Sequence, residues 1–283
     1  MTPPTIVDSH VHLWNPAQFR YTWLDGVPAL SRAFQPADFA AASAFADVSK
    51  FIFVECGCEP AQSVAEVDWI STVAKSEPRL KGIVAHASLE KGNAVRSELE
   101  MLATRRLVKG VRRNLQSETD KAFCLRPAFV TGVRLLAEFG LTFDLCLRQD
   151  QLPSVTELAR RVQEVTFVLD HLGKPDVRNH RIQPWAKDLD ALGTLPNVVA
   201  KVSGLATEAN WHGWQPADLA PYLMRALASF GPERLMFGSD WPVMTLASTY
   251  TRWLETVLTR LPISKEEDWI RLFRTNAERI YRV

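Results

Sequence analysis

Eight short runs rich in apolar, β-branched or aromatic residues recur along the chain, and their number and spacing restrict the fold more than any other feature. They lie at residues 5–12, 50–56, 80–86, 107–113, 141–147, 165–171, 198–203 and 234–240. Between most of them stand stretches with apolar residues at i, i+3 and i+4, the period of an amphipathic helix: 61–76, 94–104, 127–139, 152–163, 185–192 and 217–230. A last amphipathic piece, 264–280, opens on Ser264, Lys265, Glu266 and Glu267, a capping-box pattern. Strands alternating with helices predict a parallel sheet with crossover helices. Eight strands at intervals of roughly 25–45 residues suit a closed (β/α)8 TIM barrel, regular or distorted, better than an open sheet. An open doubly wound sheet would carry a Gly-rich phosphate turn after an early strand, whereas Gly57 and Gly82 stand alone. The reading is one α/β barrel domain over residues 1–283, with its active site at the C-terminal ends of the strands.

Bulk properties narrow the function. A net charge of +1 offers no basic field for nucleic acid or anionic lipid, so the expected partner is a small molecule. No apolar run approaches the ~20 residues of a membrane helix. Residues 1–5 lack the basic and apolar regions of a signal peptide. The four cysteines, Cys56, Cys58, Cys124 and Cys146, have no zinc-ribbon or thioredoxin spacing. A cytoplasmic protein is the expectation. Residues 15–38, with three prolines, Tyr21 and Trp23, read as a long aromatic loop serving as a lid or as packing.

The ends of the runs carry groups that a plain core would exclude. The first ends in His10 and His12, which at i and i+2 of a strand project to one face, with Asp8 below them. Later runs end in or contain Glu55, His86, Arg112 with Arg113, Asp144, His171, Lys201 and Asp240. A buried ionisable group costs several kcal/mol unless paired or functional. Eight polar strand ends therefore predict a polar cavity at the barrel mouth.

The motifs VDSHVHLW, GVRRNLQ, LDHLGKP, VVAKVSGL and RLMFGSDWPV, in this order across nearly the whole chain, resemble the amidohydrolase superfamily. The resemblance is to its amidohydrolase 2 branch, and within that to L-fucono- and L-rhamnono-lactonases. It implies that His10, His12, His171 and Asp240 form the metal-or-catalytic set and that Arg112, Lys201 and Trp241 face substrate. The fourth strand ends in arginines, with no lysine to be carbamylated, and the fifth shows Asp144 but no histidine, which argues against a binuclear site. The branch includes metal-dependent and metal-free members, so the resemblance leaves open one divalent cation, zinc or manganese, or catalysis without any.

The implied chemistry is hydrolysis of a small sugar-acid lactone by attack of water on its carbonyl. The alternatives are a metal-dependent nonoxidative decarboxylase or a pyrone-dicarboxylate lactonase on the same barrel. Asp240 is the candidate general base, with a pKa expected to be raised above the ordinary carboxylate value. Lys201 and Arg112 are candidate donors to the lactone carbonyl, and His171 a further catalytic group. Glu55, Asp144 and Lys174 are candidates for binding sugar hydroxyls, and Trp14 and Trp241 for stacking on a sugar face. Asp170, adjacent to His171, is expected to point outward, Arg113 to pair with helix carboxylates, and His180 and His212 to be solvated.

Overall fold

The computed structural model describes residues 5–283; the start of the stretch read for a targeting signal, residues 1–4, lies outside them. The eight runs are eight strands: β1 Ile6–Val11, β2 Val48–Val54, β3 Leu80–His86, β4 Val108–Arg112, β5 Thr142–Leu145, β6 Phe167–Leu169, β7 Val198–Val202 and β8 Leu235–Phe237. They pair in parallel in sequence order, β1 to β8. Closure comes just beyond the last strand, where the Asp240 amide donates to His10 O at 2.9 Å and the His12 amide to Trp241 O at 2.7 Å. The barrel is thus sewn shut at the same residues that carry the strand-end histidines and aspartate. This is a nearly closed (β/α)8 TIM barrel.

The helices follow the apolar periodicity: α1 Pro36–Ala42, α2 Ser63–Val73, α3 Arg96–Ala103, α4 Pro127–Glu138, α5 Leu152–Arg161, α6 Trp185–Gly193, α7 Pro216–Phe230 and α8 Tyr250–Arg260. In α5 the buried set is Leu152, Val155, Thr156, Leu158 and Ala159, one face of the helix. Helices α1 and α7 start with Pro at the first position, and Asp38 and Asp218 accept the amide hydrogens of Gln35 and Gln215 three residues earlier. Helix α8, unmarked in the sequence reading, starts at Thr249, whose hydroxyl accepts from the Arg252 amide. The final amphipathic piece is α9 Glu266–Ile270, a π-helical turn Arg271–Thr275 and α10 Asn276–Tyr281. The expected Ser264 box does not form; α9 begins after Lys265 without a side-chain cap. No described helix is long and apolar enough to cross a membrane.

A small apolar layer, Val7, Ile52, Val54, Val84, Val168, Val199 and Met236, fills the barrel interior, with Ala277 and Tyr281 of α10 packed against it. This layer reveals a break in β1. Strict alternation from Val7 would turn His10 away from the interior, but the register slips between Asp8 and Val11. The slip brings His10 and His12 inward and takes Asp8 off their face, correcting the expectation that Asp8 lies below them. Asp8 instead accepts hydrogen bonds from the Ser239 amide at 2.9 Å and the Tyr250 hydroxyl at 3.1 Å, stapling β1 to the chain after β8. Burial pushes its carboxyl up to about 6, against those hydrogen bonds.

Segment 15–38 is packed down by hydrogen bonds. Trp14 Nε1 donates to Arg32 O at 2.8 Å, Trp23 Nε1 to Cys56 O at 2.7 Å, and the Tyr21 hydroxyl to Glu66 Oε1 at 3.1 Å. Burial, aided by the charge of Glu55, pushes the Glu66 carboxyl up from its ordinary 4.5 to about 8. A raised acid keeps its full contribution to stability below the unfolded pKa and loses it as pH rises through the folded one. Stability should therefore fall between pH 4.5 and 8 by on the order of a few kcal/mol on account of Glu66. Glu66→Gln still accepts from Tyr21 and does not ionise. Its urea midpoint relative to wild type should climb from pH 5 to pH 8; a constant difference would show that Glu66 titrates normally.

Candidate active site

His10 and His12 meet at the barrel mouth with their Nε2 atoms 3.1 Å apart. Asp240 Oδ1 lies 3.6 Å from the first, 3.4 Å from the second and 3.9 Å from His171 Nε2. All four residues are buried, and they come from the ends of β1, β6 and β8. His171 arrives by an unusual route. After β6, His171, Leu172, Gly173 and Lys174 all have positive φ, at 54°, 51°, 74° and 52°. Non-glycine residues visit this region at a cost of order 1–3 kcal/mol each, and such strain collects at functional sites. Gly204 makes room for the imidazole, since a Cβ there would stand 2.5 Å from His171 Nδ1. Ser203 Oγ sits 2.9 Å from that same nitrogen. Asp240 also has positive φ, 62°.

A buried charge network lies against His10. Lys201 Nζ is 2.6 Å from Asp144 Oδ2, 3.0 Å from Asp170 Oδ1 and 3.3 Å from His10 Nδ1. Asp170 Oδ1 is also 3.3 Å from His10 Nδ1. The Tyr281 hydroxyl donates to Asp144 Oδ2 at 2.7 Å. Arg112 Nε donates to Glu55 Oε1 at 2.6 Å, and Nη1 to Asp170 Oδ2 at 3.3 Å. The sequence reading missed Asp170 and Tyr281. Asp170 shares parity with Val168 on the inner face, and the left-handed turn after it brings His171 inward as well, so alternation past the strand end misleads. Tyr281 reaches the centre from a helix more than a hundred residues away, with no local signal.

Burial opposes ionisation of Asp170, but Lys201 and then His10 hold it well below the usual carboxylate range. Burial raises Asp144 despite Lys201. Burial alone would lower the Lys201 ammonium; Asp144 and Asp170 keep it above its ordinary value. The His10 imidazole is pushed far down by burial, and His171 down to about 4 by the same cause. Asp240 reverses its expectation. Burial works to raise it, but the His171 charge, a hydrogen bond from His12 and the nearby His10 together hold it well below the usual range.

Several predicted site residues are buried and paired. Lys201 and Asp144 are fully buried and consumed in the ion pair, and Arg112 and Glu55 neutralise one another. They support the mouth and do not face it as contacting donors and acceptors. Trp14 is 1% exposed, hydrogen-bonded to loop carbonyls, and Trp241 is 2% exposed between Phe34 and Phe39. Neither ring offers a face to a sugar, because the segment 15–38 covers both. Lys174 does sit at the mouth, donating to Gln116 Oε1 at 2.6 Å. Arg113 pairs with Glu90 and Glu118, while His180 and His212 are exposed.

The central group fits a cation. The His12 Nδ1–H donates to Val54 O at 2.8 Å, which leaves its Nε2 as the lone-pair atom. His10 Nδ1 lies 3.3 Å from both Asp170 Oδ1 and Lys201 Nζ. With its proton on Nδ1, toward Asp170, its Nε2 lone pair faces that of His12 beside the Asp240 carboxylate; with Lys201 donating to Nδ1, the proton sits on Nε2 between the two rings. Two lone pairs 3.1 Å apart repel unless a cation or proton lies between them. Buried carboxylates around the centre (Glu55, Asp144, Asp170 and Asp240) also outnumber the cations Arg112 and Lys201. His10, His12 and Asp240 form one group able to hold a metal ion, and His10, Asp170 and His171 a second.

A family model described as "Amidohydrolase" matches residues 7–283. The chain belongs to the amidohydrolase family. Among its relatives is an L-fucono-1,5-lactonase of Burkholderia multivorans, 32% identical over 89% of this chain and 90% of that protein. An L-rhamnono-gamma-lactonase of Scheffersomyces stipitis is 23% identical over the full length of both chains. A crystal structure of a Burkholderia multivorans amidohydrolase with bound zinc superposes with a TM-score of 0.87 at 31% identity, covering 99% of this chain and 100% of that one. The five motifs read from the sequence thus fall in an amidohydrolase barrel with lactonase relatives.

Proposed function

We propose that this amidohydrolase opens small sugar-acid lactones, such as L-fucono- or L-rhamnono-lactone, by attack of water on the lactone carbonyl. The observation that carries the reading is the convergence of His10, His12, His171 and Asp240 on one point at the barrel mouth, and the names of the lactonase relatives support it. In this mechanism the water oxygen bonds to the carbonyl carbon, the ring C–O bond breaks, and Asp240 takes the water proton and returns it to the leaving ring oxygen. Asp240 is ionised at neutral pH and ready to accept, but a carboxylate held so low is a weak base toward free water. His10, His12, Asp240 and His171 would hold one divalent cation, zinc or manganese. When bound, such an ion supplies Lewis-acid polarisation of the carbonyl and makes the attacking water more acidic. Arg112, Lys201, Asp144 and Asp170 act as positioning residues that fix His10. All four cysteines are free, which suits the reducing cytoplasm in which we place the protein.

A pH-indicator assay on aldono-1,4- and 1,5-lactones tests this reading. Proton release is expected with at least one of them, lost on treatment with chelator and restored by zinc or manganese. No release from any lactone would reject the function; full activity after exhaustive chelation would reject the cation.

A further inference from the structure

A cavity of about 280 Å³ opens at the barrel mouth after β5, β6 and β7, lined by Arg148, Gln149, Lys174, Asp176 and Glu208 among others. Two of its walls are tied to His171. Lys174 ends the left-handed turn that begins at His171, and its amide donates to His171 O at 3.0 Å. Glu208 follows Gly204, the glycine on which the His171 ring rests, by a single short turn. The polar groups here are incompletely used. Gln149 Oε1 is buried with no hydrogen-bond partner. Lys174 Nζ bonds Gln116 Oε1 and stands 3.9 Å from Glu208 Oε1, leaving ammonium hydrogens for another acceptor. The Lys174 and Glu208 side chains remain 19% and 25% exposed, within reach of an entering molecule.

We propose that this cavity is the specificity subsite for the hydroxyl-bearing part of the lactone, with Glu208 and Gln149 accepting from hydroxyls and Lys174 donating to them. The proposal rests on the lactone-hydrolase reading above. A hydroxyl both donates and accepts, which matches a site offering both a cation and uncommitted acceptors. A carboxylate would meet Lys174 and Arg148 but would have to lie against Glu208 and Asp176, so the mixed charge favours a neutral polyol. Burial raises the Glu208 carboxyl in spite of Lys174 and Arg148. Both walls are anchored beside His171, so hydroxyls held here would keep the ring on the His171 side of the central group.

The test compares L-fucono-1,5-lactone, unsubstituted δ-valerolactone and 2-pyrone-4,6-dicarboxylate on the wild type and on Glu208→Gln. The ratio of kcat/KM for the hydroxylated over the bare lactone should fall at least about tenfold in the variant, with the loss in KM. Lys174→Met should move the ratio the same way. An unchanged ratio, whether both activities fall or neither does, would overturn the proposal. So would a wild type that prefers the dicarboxylate to the hydroxylated lactone, which would mark the cavity as a carboxylate site. If the wild type hydrolyses no lactone, the function fails separately, and calorimetric binding of L-fuconate decides the subsite. Binding weakened at least about tenfold in Glu208→Gln supports it; equal binding, or none to the wild type, overturns it.

Discussion

Asp240→Asn is expected to lower kcat/KM for lactone hydrolysis by roughly 10²- to 10⁴-fold, the range that a positioned acid–base group contributes. The side chains are nearly identical in volume, so the circular dichroism spectrum should be preserved. The mechanism gives Asp240 two duties, accepting the proton of water and returning it to the ring oxygen, and an amide performs neither. Loss in kcat and kcat/KM together would locate the defect in the transition state. Zinc titration supplies an independent reading: the variant keeps His10, His12 and His171 but loses the carboxylate, so affinity should drop. Near-wild-type turnover would remove Asp240 from the chemistry.

Lys201→Met is expected to be destabilising above all. The ammonium is the shared cation between Asp144 and Asp170, and all three side chains are 0% exposed. Removing one partner of a buried pair costs roughly 3–5 kcal/mol, because the remaining charge keeps its desolvation penalty without its attraction. Chemical denaturation measures this directly. Adding Asp144→Asn should recover part of the loss, since the double variant no longer strands that carboxylate. A substrate-facing Lys201 would behave differently, showing impaired kinetics at unchanged stability, and that result would contradict the network described here.

The carboxylate of Asp170 explains why the network matters to chemistry. It lies 3.3 Å from His10 Nδ1, and whichever proton arrangement it enforces there decides which atom His10 presents to His12 and Asp240. Lys201 and Arg112 hold Asp170 in place from two sides. The cations thus act on the mouth through one aspartate and one imidazole.

The sequence alone determined the eight strands, their order and most of their helices, because a strand or helix buried on one face writes its period into the residues that compose it. His10, His12, His171 and Asp240 were legible for a related reason: ionisable groups at the ends of apolar runs are conspicuous. The direction in which such groups point was a tertiary matter. Asp8 left the face of His10 through a slip of register against β2. Asp170 kept the inward parity of Val168, and four consecutive positive φ angles after it broke alternation and turned its neighbour His171 inward too. Trp14 and Trp241 were claimed by segment 15–38 packing over them, and Tyr281 came to Asp144 from the last helix. The depressed carboxyl of Asp240 is of the same kind, a sum over imidazoles contributed by distant strands. Periodicity is a property of neighbours along the chain. Burial, pairing and pKa belong to neighbours in space, and here the closed barrel alone decides who those neighbours are.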